Sequence, residues 1–368
     1  MKKLKCAVIG AGWWGTTAHV PALKQHPRAE LIAIQTRDRD QARKIAADFG
    51  VPHGCTTIEE VLAIDGLRAV AISSTPHLHY AQAKACLERG LHVLIEKPMT
   101  FTVREAQELV DLAAKRNLQF VISCPWHYTT HSIEARKLVQ SGALGRLKMI
   151  SVLMTNFTMG LYRGLPWDKV FATNPALQNA EKPYIAPGQS SYNDPAISGG
   201  GQIYCQVSHA SAYLGFLTGR QPSEVFARFD NADTPVDIYD SLNIKLDDGT
   251  LVSMASTGAT MLSKRHYEVR VYGTGGMLLL ELWQGKMEFH DLHCNVRTYP
   301  DISEPEAHSQ TSLPEAGLYP MFAPVSNLVD AALGLAPNGS PATLGLFAMK
   351  ITEAACQSVK TGANVKLR

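Results

Sequence analysis

The first part of the chain alternates short apolar runs with amphipathic segments. The runs are continuously apolar, as in parallel strands that are buried on both faces. They occupy residues 4–9, 30–36, 69–73, 91–95 and 118–123. The segments between them, such as 103–116, carry apolar residues at helical spacing. Five alternations of strand and helix predict an α/β N-terminal Rossmann domain with a doubly wound sheet.

The pattern changes after residue 124. Seven runs then follow one another with few helical segments, and Asp247-Asp248-Gly249 is a hairpin signal between two of them. The runs are 148–156, 224–230, 240–246, 250–258, 267–273, 277–282 and 286–290. They predict a C-terminal α+β domain with a large, mainly antiparallel open sheet. We expect a dinucleotide-binding domain at 1–124 and a substrate-binding and oligomerisation domain at 125–368, with the C-terminal helix packing back on the first domain.

Composition describes an ordinary globular protein with a large core. The chain has 368 residues, of which 45% are hydrophobic and 18% charged, and its net charge is +2. This charge gives no electrostatic argument for a nucleic acid or a membrane surface as partner. The seven cysteines form no CxxC pair, and no stretch approaches the ~18 apolar residues of a membrane span. We therefore expect a cytoplasmic protein.

A glycine-rich turn follows the first apolar run. Gly10, Gly12 and Gly15 have the GxGxxG spacing, Trp13 and Trp14 lie between the last two, and a predicted helix comes next. Glycines at these positions allow a tight turn and let the backbone approach a pyrophosphate, whose charge rests on free helix amides. We predict that these three glycines and two tryptophans bind the dinucleotide cofactor, and the alternative is a glycine turn that only packs.

The end of the second run indicates which dinucleotide is bound. A dinucleotide fold usually places an acid there, on the ribose 2′-hydroxyl. This chain has Thr36 and Arg37 instead, which would accept a 2′-phosphate. The cofactor is therefore NAD(P), and NADP is favoured over NAD. Alternatively, Arg37 is a solvated side chain and Asp38 or Asp40 takes the place of the acid.

The third run ends at the same predicted sheet edge. Ser74, Thr75 and Pro76 follow it, and their small polar groups suit the wall of a nicotinamide ribose site. His79 is a further candidate there, with capping or packing as the alternative. His77 and His79 have no carboxylate or cysteine beside them in the sequence, so no metal site is predicted.

Glu96-Lys97-Pro98 follows the fourth run. The carboxyl ends of parallel strands face one crevice, so a lysine at this point would face the molecule that the glycine turn holds. We predict that Glu96 and Lys97 contact the cofactor and that Lys97 transfers a proton. The alternative is an ordinary charged turn.

Polar and aromatic groups in the second part suit a sugar-like substrate. Aromatic rings pack on the C–H faces of sugars, and amides and histidines bind the hydroxyls. The predicted substrate contacts are Trp126, His127, Tyr128, Trp167, Tyr192, Gln206 and His209. Trp167 and Tyr192 belong to the irregular stretch 160–199, which could instead cover the sheet or contact another subunit. We expect one helix from Gln202 to Leu217, on which Cys205 and His209 would share a face.

Taken together, these motifs resemble those of the Gfo/Idh/MocA oxidoreductases. The resemblance covers nearly the whole chain. It implies that Lys97 lies near the nicotinamide and the reacting hydroxyl, that His209 acts as acid, base or anchor, and that the substrate is a sugar, cyclitol or glycoside bound between two domains. It also implies homodimers or homotetramers formed through the open face of the second sheet. Members often carry Asp where this chain has Cys205, and many carry arginine where it has Trp126-His127-Tyr128.

The predicted function is that of an NAD(P)-dependent dehydrogenase acting on the CH–OH group of a carbohydrate-like substrate. Lys97 and His209 would be the catalytic residues. Two alternatives remain open: a glycoside-cleaving enzyme that oxidises its substrate transiently and retains the cofactor, and a non-catalytic, dinucleotide-sensing regulatory protein.

Overall fold

The structure is a computed structural model that describes residues 3–172, 183–299 and 319–367. The described residues form two compact units. The first comprises 3–124, 183–188 and 321–346, and the second comprises 125–172, 189–299, 319–320 and 347–367.

The first unit contains a six-stranded sheet in which every pair of neighbours is parallel. Its strands are β1 (Leu4–Ile9), β2 (Ala29–Gln35), β3 (His53–Cys55), β4 (Ala69–Ile72), β5 (His92–Ile95) and β6 (Phe120–Ile122). Their spatial order is β3-β2-β1-β4-β5-β6, the arrangement of a doubly wound sheet. The sequence predicted five of these strands. It missed β3, an edge strand of three residues without an apolar run.

The second unit contains a nine-stranded sheet. Its strands are β7 (Leu147–Thr155), β8 (Pro222–Asp230), β9 (Tyr239–Leu246), β10 (Leu251–Thr257), β11 (Tyr267–Gly273), β12 (Gly276–Glu281), β13 (Lys286–Asp291), β14 (Val296–Tyr299) and β15 (Val365–Lys366). The order is β14-β13-β12-β11-β7-β10-β9-β8-β15. Strands β7 and β10 are parallel, and the other neighbours are antiparallel. The predicted fold class is confirmed.

Fourteen α-helices connect or cover these strands within the described residues. They are α1 (Val20–Gln25), α2 (Arg39–Asp48), α3 (Ile58–Leu62), α4 (His79–Glu88), α5 (Val103–Lys115), α6 (Thr130–Gln140), α7 (Met159–Tyr162), α8 (Trp167–Ala172), α9 (Ser190–Asn193), α10 (Pro195–Ser198), α11 (Gln202–Cys205), α12 (Val207–Thr218), α13 (Ala323–Ala332) and α14 (Ala342–Thr361). The irregular stretch predicted at 160–199 thus contains several short helices, and its residues 173–182 lie outside the described part.

Helix α5 illustrates how the local sequence fixes an element. The Thr102 side chain accepts a hydrogen bond from the Glu105 amide, and the Glu105 carboxylate accepts one from the Thr102 amide. This capping box satisfies amides that a helix start leaves without partners. Ala106, Leu109 and Ala113 lie on one face and are buried. The cap and the apolar face together explain why the sequence predicted this helix well.

One face of the nine-stranded sheet is open. Strand β9 alternates strictly between exposed and buried residues, which places its two sets of side chains on opposite faces. The register aligns Met149 with Leu251, and Thr257 with Tyr239. Met149, Leu251 and Tyr239 are at least 43% exposed. The unit therefore exposes several large apolar side chains on this face of the sheet, beside polar ones such as Asn243 and Lys245.

Candidate cofactor and catalytic sites

Two glycines of the turn after β1 are required by the protein's own packing. Gly10 has φ +78°, and a Cβ there would lie 2.3 Å from the backbone nitrogen of Ser74. A Cβ at Gly15 would lie 2.8 Å from the Gly10 carbonyl oxygen and equally close to the Ser73 hydroxyl. Neither position has room for a side chain.

Gly12 has a different environment. A Cβ at this position would have no protein atom within 4 Å among the residues that the structure describes. The Gly12 carbonyl accepts a hydrogen bond from the Thr16 hydroxyl at 2.7 Å, which fixes the turn from its other side. A glycine that faces open space allows the backbone to approach a pyrophosphate closely. The turn therefore leaves room for such an approach, and contact between Gly12 and a cofactor stays a prediction.

The side chains after β2 bear on the choice of dinucleotide. The Asp38 carboxylate accepts a hydrogen bond of 2.7 Å from the Gln41 amide and so caps α2. The Thr36 hydroxyl donates to the Gln41 side chain at 2.8 Å. Arg37 is exposed. Asp38, one of the two acids considered for the ribose, is thus engaged at the start of the helix.

His79 connects the loops after β4 and β5. Its ring is fully buried, with Nδ1 2.8 Å from the Pro98 carbonyl oxygen and Nε2 2.9 Å from the Ser74 carbonyl oxygen. Burial lowers the pKa of His79, although the two carbonyls act in the opposite direction. Thr75 and Pro76 are half-buried beside it. The structure gives His79 a loop-connecting role, and contact with a cofactor stays a prediction.

Glu96 is a buried carboxylate at the end of β5. Its Oε1 accepts a hydrogen bond of 2.8 Å from the indole nitrogen of Trp14 and lies 2.9 Å from Nε2 of His19. Burial raises its pKa, but the bonds from His19 and Ser123 and the charge of Lys97 outweigh burial and hold the pKa below its ordinary value. Lys97 itself is half-buried. The sequence did not predict that Trp14 binds this carboxylate.

In the second unit, His209 lies on α12 and is buried. The predicted single helix is interrupted at Gln206, whose φ of −110° separates α11 from α12. Cys205 ends the first segment and His209 belongs to the second, so the expectation of one continuous helix was wrong. Gln206 is also buried, and its side-chain amide donates to the Cys205 sulfur at 3.6 Å.

Asp237 holds the start of α11, and the sequence did not single it out. Its two carboxylate oxygens accept hydrogen bonds from the Gly201 amide at 2.9 Å and the Ile203 amide at 2.6 Å. A Cβ at Gly201 would lie 2.0 Å from the Asp237 carbonyl oxygen. Gly201 therefore lets the start of α11 lie against the backbone of Asp237, a capping residue that is distant in the sequence. The sequence did contain a signal for such a distant cap, because no Ser, Thr, Asp or Asn stands directly before this helix.

Several predicted substrate residues lie in packed surroundings within this unit. Trp126 is 1% exposed and meets Tyr267, Trp283 and Tyr319 edge-on. The His127 ring stacks on Phe216 with centroids 4.5 Å apart, and burial lowers its pKa to about 3.

The remaining predicted substrate residues are less enclosed. Tyr128, Trp167 and Tyr192 are half-buried. Tyr192 packs against a buried cluster that includes Tyr162 and Cys205. For each of these residues, contact with substrate stays a prediction.

The described part of the chain shows neither a metal-binding cluster nor a membrane-spanning helix. Within it, no three His, Cys, Asp or Glu side chains are grouped as a metal ion would require. None of its helices combines the length and the apolar character needed to cross a bilayer.

Comparison with known protein families assigns both units. The model described as "Oxidoreductase family, NAD-binding Rossmann fold" matches residues 4–123, and the "GFO/IDH/MocA C-terminal domain" model matches residues 132–279. The chain belongs to the Gfo/Idh/MocA oxidoreductase family. The resemblance inferred from the motifs is thereby confirmed, and the first unit carries the NAD-binding Rossmann fold of this family.

Individual relatives match over shorter stretches. An uncharacterized oxidoreductase of Synechocystis is 39% identical over 149 residues, 40% of each chain. The dTDP-3,4-didehydro-2,6-dideoxy-alpha-D-glucose 3-reductase of Streptomyces antibioticus is 31% identical over 42% of this chain and 46% of its own. These matches span less than half of the relatives' length.

A solved structure shows the same fold over the whole chain. Levoglucosan dehydrogenase, in complex with NADH and levoglucosan, superposes with a TM-score of 0.79 at 18% identity and covers 99% of each chain. At this identity the likeness establishes the architecture alone.

Because Gly10 and Gly12 have different surroundings, an added methyl group should affect stability at the first position and cofactor affinity at the second. Gly10→Ala should lower the melting temperature, because strain and the clash with Ser74 cost about 1–3 kcal/mol or more. Gly12→Ala should melt like the wild type but bind NAD and NADP about tenfold more weakly, since a loss of 1.4 kcal/mol is tenfold in affinity. Thermal melting and fluorescence titration measure the two effects. Unchanged cofactor affinity in Gly12→Ala would argue against a pyrophosphate at this turn.

Proposed function

We propose that this protein is an NAD(P)-dependent oxidoreductase that transfers a hydride between the nicotinamide and a secondary hydroxyl or carbonyl of a sugar, cyclitol or glycoside. The observation that carries the proposal is that Gly12 and Lys97 both follow the carboxyl ends of strands in the first sheet. Gly12 faces open space after β1, and Lys97 follows β5 at the carboxyl ends of the same parallel strands. Ligands of open α/β sheets bind outside these ends.

Lys97 is the proposed proton-transfer residue. An alcohol that loses a hydride must also lose its hydroxyl proton, and an amine within hydrogen-bond reach can take it. The peptide that carries Lys97 is fixed on both sides, because the Glu96 side chain and the Pro98 carbonyl oxygen each have a buried histidine as partner. When bound, the nicotinamide cofactor supplies the hydride acceptor or donor. The chain itself orients the substrate and moves the proton.

His209 is proposed as a second acid or base, or as the anchor of the substrate hydroxyl. It is buried on α12, downstream of a helix start that Asp237 holds by two amides. Gln206, Trp126, His127, Tyr128, Trp167 and Tyr192 are proposed to line the substrate site.

A carbohydrate-like substrate is supported by three kinds of observation. The relative from Streptomyces antibioticus is named for a sugar nucleotide, and the structural neighbour holds levoglucosan. Half-buried aromatic side chains such as Trp167 and Tyr192 offer flat faces, and side-chain amides such as that of Gln206 offer donors and acceptors. The combination suits a ring that carries both C–H faces and hydroxyls.

NADP is proposed over NAD. Asp38 caps α2, and the exposed Arg37 stands directly after the neutral Thr36. A guanidinium group at this point favours a ribose 2′-phosphate, because arginine binds phosphate through charge-assisted hydrogen bonds.

We also propose a homodimer or homotetramer in which a second copy covers the open sheet face. Met149, Leu153, Tyr239 and Leu251 expose apolar area there, and contiguous apolar surface marks interaction sites. Light scattering tests this proposal, and a monomer at every concentration would contradict it.

Replacing Lys97 with methionine tests the catalytic proposal. Lys97→Met keeps most of the aliphatic stem and removes the amine, so turnover should fall about 10²–10⁴-fold, the usual contribution of general acid–base catalysis. Cofactor affinity should change little. The assay follows reduced cofactor by absorbance with D-xylose, levoglucosan and a panel of sugars and polyols.

The control for this experiment is Lys84→Met. Lys84 pairs with Glu108 on the neighbouring helix and should be dispensable for turnover. Normal activity of Lys97→Met would refute the assignment. Reduced cofactor should accumulate in equal amount with product, whereas product without it would indicate cleavage of a glycoside through transient oxidation.

Replacing Arg37 with alanine tests the choice of cofactor. NADP affinity should fall about tenfold or more, because a hydrogen bond to a charged group contributes about 1.5–3 kcal/mol, while NAD affinity should stay the same. Arg39→Ala is the matched control, since Arg39 pairs with Glu60 at 2.9 Å. Titration calorimetry with both dinucleotides measures the difference. An equal loss for NAD and NADP would contradict a phosphate-reading role.

A further inference from the structure

The Glu96 carboxylate is enclosed by hydrogen-bond donors. The indole N–H of Trp14 can only donate, and it reaches Oε1 at 2.8 Å. Nε2 of His19 lies 2.9 Å from the same oxygen, and the His19 ring is fully buried. Ser123 also bonds to the carboxylate. Glu96 is 8% exposed, so this set of donors takes the place of water around it.

These donors come from two separate connections of the chain. Trp14 belongs to the glycine turn after β1, His19 to the helical turn that follows it, and Ser123 to the segment after β6. Glu96 ends β5. One carboxylate therefore ties the ends of three strands together, at the edge where Gly12 faces open space.

Lys97 is the next residue after this carboxylate. Pro98, on its other side, offers its carbonyl oxygen to the buried His79 ring at 2.8 Å. The backbone of Lys97 is thus held before and after the residue. The Glu96 carboxylate also interacts electrostatically with Lys97. Movement of Glu96 would move the lysine.

We propose that Glu96 is a positioning residue for Lys97 and that Trp14 of the glycine turn acts through it. The sequence had suggested that Trp14 and Glu96 contact the cofactor. In this assignment their bond to each other sets the lysine relative to the turn. The assignment rests on the proposed role of Lys97 in proton transfer, and its test is arranged to separate the two.

The first test uses the full chain without added cofactor. Lysine side chains are acetylated with limiting acetic anhydride over a range of pH, and mass spectrometry gives the reactivity of Lys97 relative to the other lysines. Glu96→Gln keeps an oxygen that can accept from Trp14 and removes the charge. It should raise the relative reactivity of Lys97, because an amide accepts fewer of the bonds that the carboxylate accepts and so holds the loop less firmly.

Trp14→Phe keeps an aromatic ring and removes the N–H donor. It should raise the relative reactivity of Lys97 about threefold, because a less firmly held loop exposes the amine. Curves of Trp14→Phe and Glu96→Gln that coincide with the wild-type curve would overturn the proposal.

The second test measures turnover with NADP and NAD on D-xylose and levoglucosan. Trp14→Phe should lower kcat about tenfold, which corresponds to a barrier about 1.4 kcal/mol higher, and leave KM for the cofactor within about twofold. A rise in KM at constant kcat would overturn the proposal in favour of direct cofactor contact. Thermal melting shows whether each variant is folded.

The two experiments separate the failure of each proposal. If Lys97→Met is as active as the wild type, the proposed function of Lys97 fails, and the acetylation curves still decide whether Glu96 positions it. If Lys97→Met is inactive while Trp14→Phe matches the wild type in both kcat and acetylation, only the positioning role fails.

Discussion

The functional edge of the first unit depends on a closed ring of contacts among three loops. Gly10 presses so tightly on Ser74 that no side chain fits between the loops after β1 and β4. His79 bridges the carbonyls of Ser74 and Pro98 and so joins the loops after β4 and β5. The bond from Trp14 to Glu96 closes the ring back to the loop after β1. Each contact is buried or half-buried, so water competes weakly with it.

The second unit uses the same principle with different residues. The start of α11 lies so close to the segment before β9 that Gly201 cannot carry a Cβ. The Asp237 carboxylate of that segment accepts hydrogen bonds from the amides of Gly201 and Ile203. In both units, a glycine allows two backbones to touch, and a buried acid then bonds to groups from another part of the chain. Precise loops are built from close approach and satisfied polar groups, since each buried group without a partner would cost free energy.

The sequence predicted those elements whose determining residues are close together along the chain. Strand β1, the glycine turn and helix α5 are determined by residues only a few positions apart. Their sequence patterns therefore predicted them. Strand β3 has no apolar pattern, because it is a short edge strand. The bond from Trp14 to Glu96 joins residues 82 positions apart, and Asp237 lies 36 positions from Gly201. No local pattern encodes such pairs, so the sequence placed Trp14 and Glu96 at one edge but could not pair them.

Because residue 205 is a cysteine, the second unit provides no carboxylate at this position. Members of the family often carry aspartate there, whereas Cys205 packs against Tyr162 in a buried cluster. Asp237 is the nearby acid that holds the helix start, but both of its oxygens already accept amide hydrogens. The proposed chemistry therefore depends on Lys97 and His209 without a carboxylate from this position, which makes the placement of Lys97 by its own neighbours more important.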